Sequence, residues 1–256
     1  MTSLAIRART VIDRCYCRPT PRYPARRCSE RSSQGRFEKV LTRRGALRIS
    51  GWRCSSLRRD ELAELQNIVH RDNLQSILQQ GILSHDGVAR LPHRSVADHS
   101  VQSRRAGITV PPTRRRLHTY ANLYLNARNI MMYRVLCDLG WQHDQLCVLG
   151  VSTDVLDLAG VIVTDRNAAS WPWWKTPDEA LPLLDRPTIF AERWNHADDM
   201  EKRDHQQRMC AEVLVPDLVA PELIQRIYVP TDSCRASAEA VGGGITVEVK
   251  GSLFFR

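Results

Sequence analysis

The sequence predicts an α+β fold over residues 57–256, an ordinary globular body preceded by a basic extension over residues 1–56. Three observations predict it. Short apolar, β-branched runs are mixed with short amphipathic segments, and no βαβ unit repeats, which favours α+β over a doubly wound sheet. Neither G-x-G-x-x-G nor a P-loop occurs, so a Rossmann or NTPase reading has no support. The formal charge of +9 is confined to one end: residues 1–60 hold 16 Lys plus Arg and four Asp plus Glu, the rest 21 and 24.

The extension shows neither helical nor strand periodicity and is studded with Arg, Ser, Pro and Cys. Basic segments attract nucleic acid by counterion release. With 33 Arg and only four Lys in the chain, GC-rich codon usage is the simpler account. Residues 1–56 are expected to be disordered, to resemble translation upstream of a true start, and to have no function. No apolar run approaches the ~18–20 residues of a membrane span. MTSLAIRARTVIDRC lacks the apolar core of a secretory signal, so a cytoplasmic protein is expected. No cysteine pair has zinc spacing, and no metal is expected. Cys137, Cys147, Cys210 and Cys234 sit in apolar company and read as buried small hydrophobes.

The elements follow in order. LAELQNIV (62–69) leads into a short strand. Asp72 and Asn73 offer N-cap chemistry to a helix in which Leu74, Ile77 and Leu78 share a face, and Gly81 ends it. Residues 85–118 are polar, hold Pro111, Pro112 and Arg114–Arg116, and are long for a loop. YANLYLN (120–126) alternates like a strand, and Asn129 caps a helix closed by Gly140. QLCVLGVS (145–152) and GVIVTD (160–165) are strands, and NAASWPWWKTPDEA (167–180) is a Trp-rich connection. The polar stretch 191–208 precedes the apolar strand MCAEVLVP (209–216). IQRIYVP (224–230), a helix near 232–241 and ITVEVKGSLFF (245–255) complete the chain.

Glu212 is the most informative position, because a carboxylate rarely enters an apolar strand without a partner. It is either an edge-strand Glu facing solvent or a carboxylate projected from a rigid sheet into a cleft. Arg104 and Arg105 stand among Val96, Val101, Ile108 and Val110. They are either a solvated pair at a helix end or guanidinium groups that hold an electronegative ligand. Tyr120, Tyr124 and Tyr133 could stack on a nicotinamide or nucleobase, or form plain core. Asp217 reads as a turn residue. His70 and His118 have no companion at metal spacing, and no H-E-x-x-H or G-x-S-x-G occurs.

Four blocks, ordered as NIVHRDNLQSILQQGILS (67–84), RSVADHSVQSRR (94–105), LHTYANLYLNARNIMMY (117–133) and NAASWPWW…MCAEVLVPDLVAPELIQRIYV (167–229), resemble the DarT family of DNA ADP-ribosyltransferase toxins. The resemblance spans essentially residues 60–255 and excludes the extension. It implies a mixed sheet split around an NAD cleft, and transfer of ADP-ribose from NAD to a base in single-stranded DNA. A macrodomain-type antitoxin that reverses the transfer is implied as partner. Glu212 matches the family's catalytic glutamate and Arg105, with Arg104 as its alternative, the arginine placed near NAD. The segment 191–208 matches the loop that presents the target. Asn67, Ile68, Val69, Ser76 and Ser84 fall where the family contacts NAD. The family often reads Tyr-His-Ile-Thr where this chain has Gln66-Asn67-Ile68-Val69, so Asn67 replaces a histidine. NLYLNARNIMMY looks closer to the branch reported to modify guanine than to the thymine-modifying one. A catalytically lapsed binding module, and a transferase acting on RNA or protein, are the alternatives.

Overall fold

The computed structural model describes residues 56–255; the basic extension lies outside the described residues. An eight-stranded mixed sheet runs in the order 246–249, 224–229, 146–151, 65–70, 120–124, 212–216, 162–164, 174–175. Only the first two of these strands pair in parallel. Residues 146–151 and 213–215 read as continuous apolar runs because both faces of the sheet are covered there. One face carries a continuous cluster that includes Leu123, Leu149, Val151, Val213 and Val215. The other carries two separate clusters, one around Met132, Val148 and Tyr228, the second around Tyr120, Ile162 and Leu214.

The sheet is nearly cut in two at its middle. Strand Leu65–His70 pairs with Leu146–Val151 through six partners, and Tyr120–Tyr124 pairs with Glu212–Pro216 through five. Between these halves the only register pair is Gln66 with Tyr124. Just past it, Asn67 Nδ2 donates to the Asn122 carbonyl at 2.9 Å, a side chain standing in for the missing ladder.

Most predicted elements are present. Helix Leu74–Gln80 ends at Gly81, which takes φ 87°. A side chain there is excluded for a second reason, because a Cβ would lie 2.2 Å from the Val219 carbonyl oxygen. Asn129 caps helix Ile130–Cys137 by accepting from the Met131 and Met132 N–H groups. Helix Asp232–Val241 also forms. Asn73 departs from expectation: it makes no side-chain cap and instead exchanges two hydrogen bonds with the Arg94 backbone, at 2.8 and 2.9 Å. That tie holds the next excursion against the first helix.

Two supposed loops are partly helical. Within 85–118 lies helix His99–Ala106, capped by the Asp98 carboxylate, followed by a two-residue hairpin at 109–110 and 115–116. Within 191–208, helix Asp199–Arg208 is capped by Asp198. Apolar periodicity could not reveal it, since none of its residues is buried; capping and its Arg208–Asp204 pair at 2.8 Å support it locally.

Candidate active site

Glu212 opens an inner strand, between 120–124 and 162–164, which excludes the solvent-facing edge reading. It shares the divided face of the sheet with Leu214, two residues on. Its side chain is fully buried and fully occupied. Arg105 Nη1 lies 3.0 Å from both carboxylate oxygens, and the Ala168 N–H donates to Oε1 at 3.2 Å. The Glu212 N–H donates to Thr164 Oγ1 at 3.3 Å, which fixes the strand end at the same point.

Arg105 comes from the last turn of helix His99–Ala106 and is 5% exposed. Val101 and Arg105, one turn apart, are the helix's two buried residues. Arg104 turns outward and is exposed. The two sequence readings of the arginine pair therefore divide between its members.

The charge of Glu212 registers on its neighbours. Burial first, and the carboxylate second, hold the Tyr124 hydroxyl well above 10. The same causes push the Cys210 thiol up to about 12. Both groups stay protonated beside a carboxylate whose counter-charge is Arg105.

A cavity of about 260 Å³ opens over the split. Asn67, Ile68, Val69, Ser76 and Arg105, all expected on the NAD side, line it. Glu212 does not. The cavity meets Arg105, and Arg105 meets the carboxylate, so the expectation of a glutamate projecting into open space is corrected to one covered by its guanidinium partner. Ser84 is also elsewhere: its Oγ accepts from the Gly87 N–H at 3.1 Å and its own N–H donates to the Asp217 carbonyl at 2.7 Å. It caps the turn that brings His85 to the cavity wall.

His85 is the companion that sequence spacing denied to His118. The rings stack at 4.0 Å with 10° between planes. With Asp86 they gather potential ligand atoms within 4.8 Å of one another. Stacked rings aim their in-plane lone pairs in parallel rather than at one point, and Asp86 is paired with Arg116. Burial, with Arg105 adding to it, pulls both imidazoles below their ordinary 6.5.

The tyrosines separate by role. Tyr124 is core and Tyr120 walls the cavity, while Tyr133 packs edge-on with Trp194 and Phe255. The Arg114–Arg116 run is largely neutralised, since Arg115 pairs with Asp217 and Arg116 with Asp86. Asp217 is a turn residue at φ 63°. Cys147 and Cys210 are buried, but Cys137 is exposed, contrary to its apolar context.

A mixed sheet split over a cavity, with a carboxylate opening an inner strand and a guanidinium closed upon it, is an ADP-ribosyltransferase architecture. Residues 67–255 match the family model described as ssDNA thymidine ADP-ribosyltransferase, DarT, and the chain belongs to the DarT family. It is similar to a DNA ADP-ribosyl transferase–DNA ADP-ribosyl glycohydrolase fusion protein of Thermosipho africanus, 32% identical over 175 residues. That match covers 65% of this chain and 42% of the relative, so the chain spans under half of the fusion's length. A DNA ADP-ribosyl transferase of Thermus aquaticus is 30% identical over 184 residues, covering 69% of this chain and 79% of the relative. Among solved structures, Thermus sp. 2.9 DarT in complex with ADP-ribosylated ssDNA superposes with a TM-score of 0.67 at 26% identity. It covers 76% of this chain and 97% of that one.

Proposed function

We propose that this protein transfers ADP-ribose from NAD to a base of single-stranded DNA, as the toxin of a toxin–antitoxin pair. The observation that carries the proposal is the buried Glu212–Arg105 pair, at 3.0 Å, beneath a cavity in the split of the sheet. In the reaction the ribose C1′–nicotinamide bond breaks and its electron pair leaves with the nicotinamide. A nitrogen of the base then bonds to C1′ and gives up its proton to solvent. Glu212 stabilises the positive sugar between these events, the electrostatic work a rigidly held carboxylate does best. Arg105 orients that carboxylate and must swing aside to admit the sugar. Asn67, the Ile68–Val69 backbone and Ser76 grip the NAD; Ser84 acts through the turn it caps. Arg105 is an electrostatic organiser, since a guanidinium stays charged and is a poor general base.

The fusion relative supports a macrodomain-type glycohydrolase as partner. No helix among the described residues is long and apolar enough to cross a membrane, which fits the cytoplasmic site of action proposed here.

The test is incubation of purified protein with labelled NAD and oligonucleotides of varied sequence. Label is expected on single-stranded DNA, absent with Glu212→Gln, and mass spectrometry names the modified base, thymine or the guanine that NLYLNARNIMMY suggests. NAD bound without turnover would select a lapsed enzyme. Label on RNA or protein alone would select a different acceptor.

A further inference from the structure

Consecutive arginines of one helix face different spaces. Arg105 lines the cavity over the split, whereas Arg104 lines a second cavity of about 360 Å³. The wall of this second space is rich in amide and hydroxyl groups: Asn167, Ser170, Gln206 and Gln207 join Arg104 there. A third void of about 80 Å³ shares lining residues with both, Arg105 with the first cavity and Asn167 with the second. A transfer reaction needs its two substrates to approach the sugar carbon from different directions; Arg105 lines the first cavity, and Asn167, next to the Ala168 that holds Glu212, lines the second.

One residue beyond Ser170 stands Trp171, which is 97% exposed. Single exposed apolar residues are common on soluble proteins and need no explanation by themselves. Trp171 differs in how it is held. Its φ is 54°, the left-handed region that bulky residues rarely enter. Both sides of the segment are pinned: the Ala168 N–H donates to Glu212, the Asn167 N–H to the Gln207 carbonyl at 3.2 Å, and the Trp173 N–H to Asp165 at 3.1 Å. Its neighbours Trp173 and Trp174 pack against the core. Of three tryptophans in four residues, the one left bare therefore stands three residues beyond Ala168, whose N–H holds the candidate catalytic carboxylate.

We infer that the Arg104–Asn167–Gln206–Gln207 cavity receives the acceptor base and that Trp171 stacks on a neighbouring base of the same strand. This rests on the DNA-transferase reading given above. Amides and a guanidinium hydrogen-bond base edges, and an indole face accepts any base without regard to sequence. Paired bases in a duplex hide their faces from such a platform, so Trp171 gives the site its preference for single strands. It is a positioning residue, and the affected quantity is the KM for DNA.

The experiment compares the full chain with Trp171→Ala, Trp171→Phe and Arg104→Gln. It measures anisotropy of a fluorescent single-stranded oligonucleotide, together with kcat and KM for transfer. Trp171→Ala should weaken binding and raise the DNA KM about tenfold or more at little cost in kcat, with Phe restoring most of the loss. Arg104→Gln should raise the DNA KM as well. Leu183→Ser, an exposed apolar control, should change neither. Trp171→Ala that unfolds like the parent protein and binds and reacts with DNA as well as it does would overturn this inference alone. A kcat loss with unchanged KM would overturn it too. If the unmodified protein labels no DNA at all, the reading beneath it falls, and this inference with it.

Discussion

Replacing Arg105 by Met should destabilise the fold by an amount that can be worked from its contacts. The guanidinium is 5% exposed, and its Nη1 touches both oxygens of a carboxylate that is wholly buried. Without it, Oε1 keeps the Ala168 N–H, and Oε2 has no hydrogen-bond donor among the described residues. Breaking a buried pair from one side costs roughly 3–5 kcal/mol, because the surviving charge is uncompensated. Such a loss is a large part of a total stability of about 5–15 kcal/mol. Glu212→Gln alone should also destabilise, by stranding the guanidinium. The double variant Arg105→Met/Glu212→Gln removes both charges while the glutamine oxygen still accepts from Ala168. It should be more stable than Arg105→Met, with a coupling of about 2–4 kcal/mol. Urea unfolding at pH 7, extrapolated to water for all four proteins, reads these values. An Arg105→Met cost below about 1 kcal/mol, or strictly additive singles, would refute the reasoning.

Gly150→Ala would place a Cβ 2.3 Å from Glu64 Oε2, and that carboxylate is held by Gln66 at 2.8 Å. Overpacking of about 1–3 kcal/mol should lower the melting temperature by several degrees, and Glu64→Ser in the same chain should recover most of it. His70, His85, His118 and His205 are all held below 6.5, chiefly by burial. The unfolded chain therefore binds more protons below about pH 6.5, and stability should fall from pH 7.5 toward pH 5. His85→Gln/His118→Gln should flatten that slope in urea titrations, and an unchanged slope would contradict the assignment. Burial pushes Cys147 and Cys210 to about 12, whereas Cys137 is exposed. Iodoacetamide at pH 8 should modify Cys137 in the native protein and the buried pair only on unfolding, as read by peptide mass spectrometry.

What the amino-acid order reveals here depends on how local the determining physics is. Strand Leu146–Val151 is readable because it buries both faces and so appears as an unbroken apolar run, and Tyr120–Tyr124 because it alternates. Glu212 is readable for the same reason, as a carboxylate where the run leaves no room for one. Its partner is only half readable. Arg104 and Arg105 are chemically identical, and only the helical phase shared with Val101 separates the buried one from the exposed one. The polar, Pro- and Arg-rich composition of 85–118 obscures that phase in the sequence. The Ala168 N–H and Thr164 carry no signal at all, since a backbone donor looks alike at every position and Thr164 passes as an ordinary strand residue. Gly150 and the His85–His118 stack are likewise products of distant segments meeting.

The closed pair has a consequence for how the proposed chemistry is prepared. A buried carboxylate requires a positive partner at all times, or its desolvation goes uncompensated. Before substrate arrives, Arg105 supplies that charge at 3.0 Å. During transfer, the sugar itself becomes the cation. Arg105 thus stands in for the reacting centre, and the electrostatic demand on the site is similar before and during the reaction, with one cation exchanged for another. The strand end stays anchored through Thr164, and Ala168 keeps hold of the carboxylate, so little beyond one guanidinium has to move. Catalysis by preorganised charge asks for this economy, because reorganisation at the moment of bond cleavage would add to the barrier. Lysine at position 105 would preserve the charge but not the planar reach of Nη1 across two oxygens. Arg105→Lys should therefore retain more stability than Arg105→Met while still losing transfer activity, which separates the need for a cation from the need for this one.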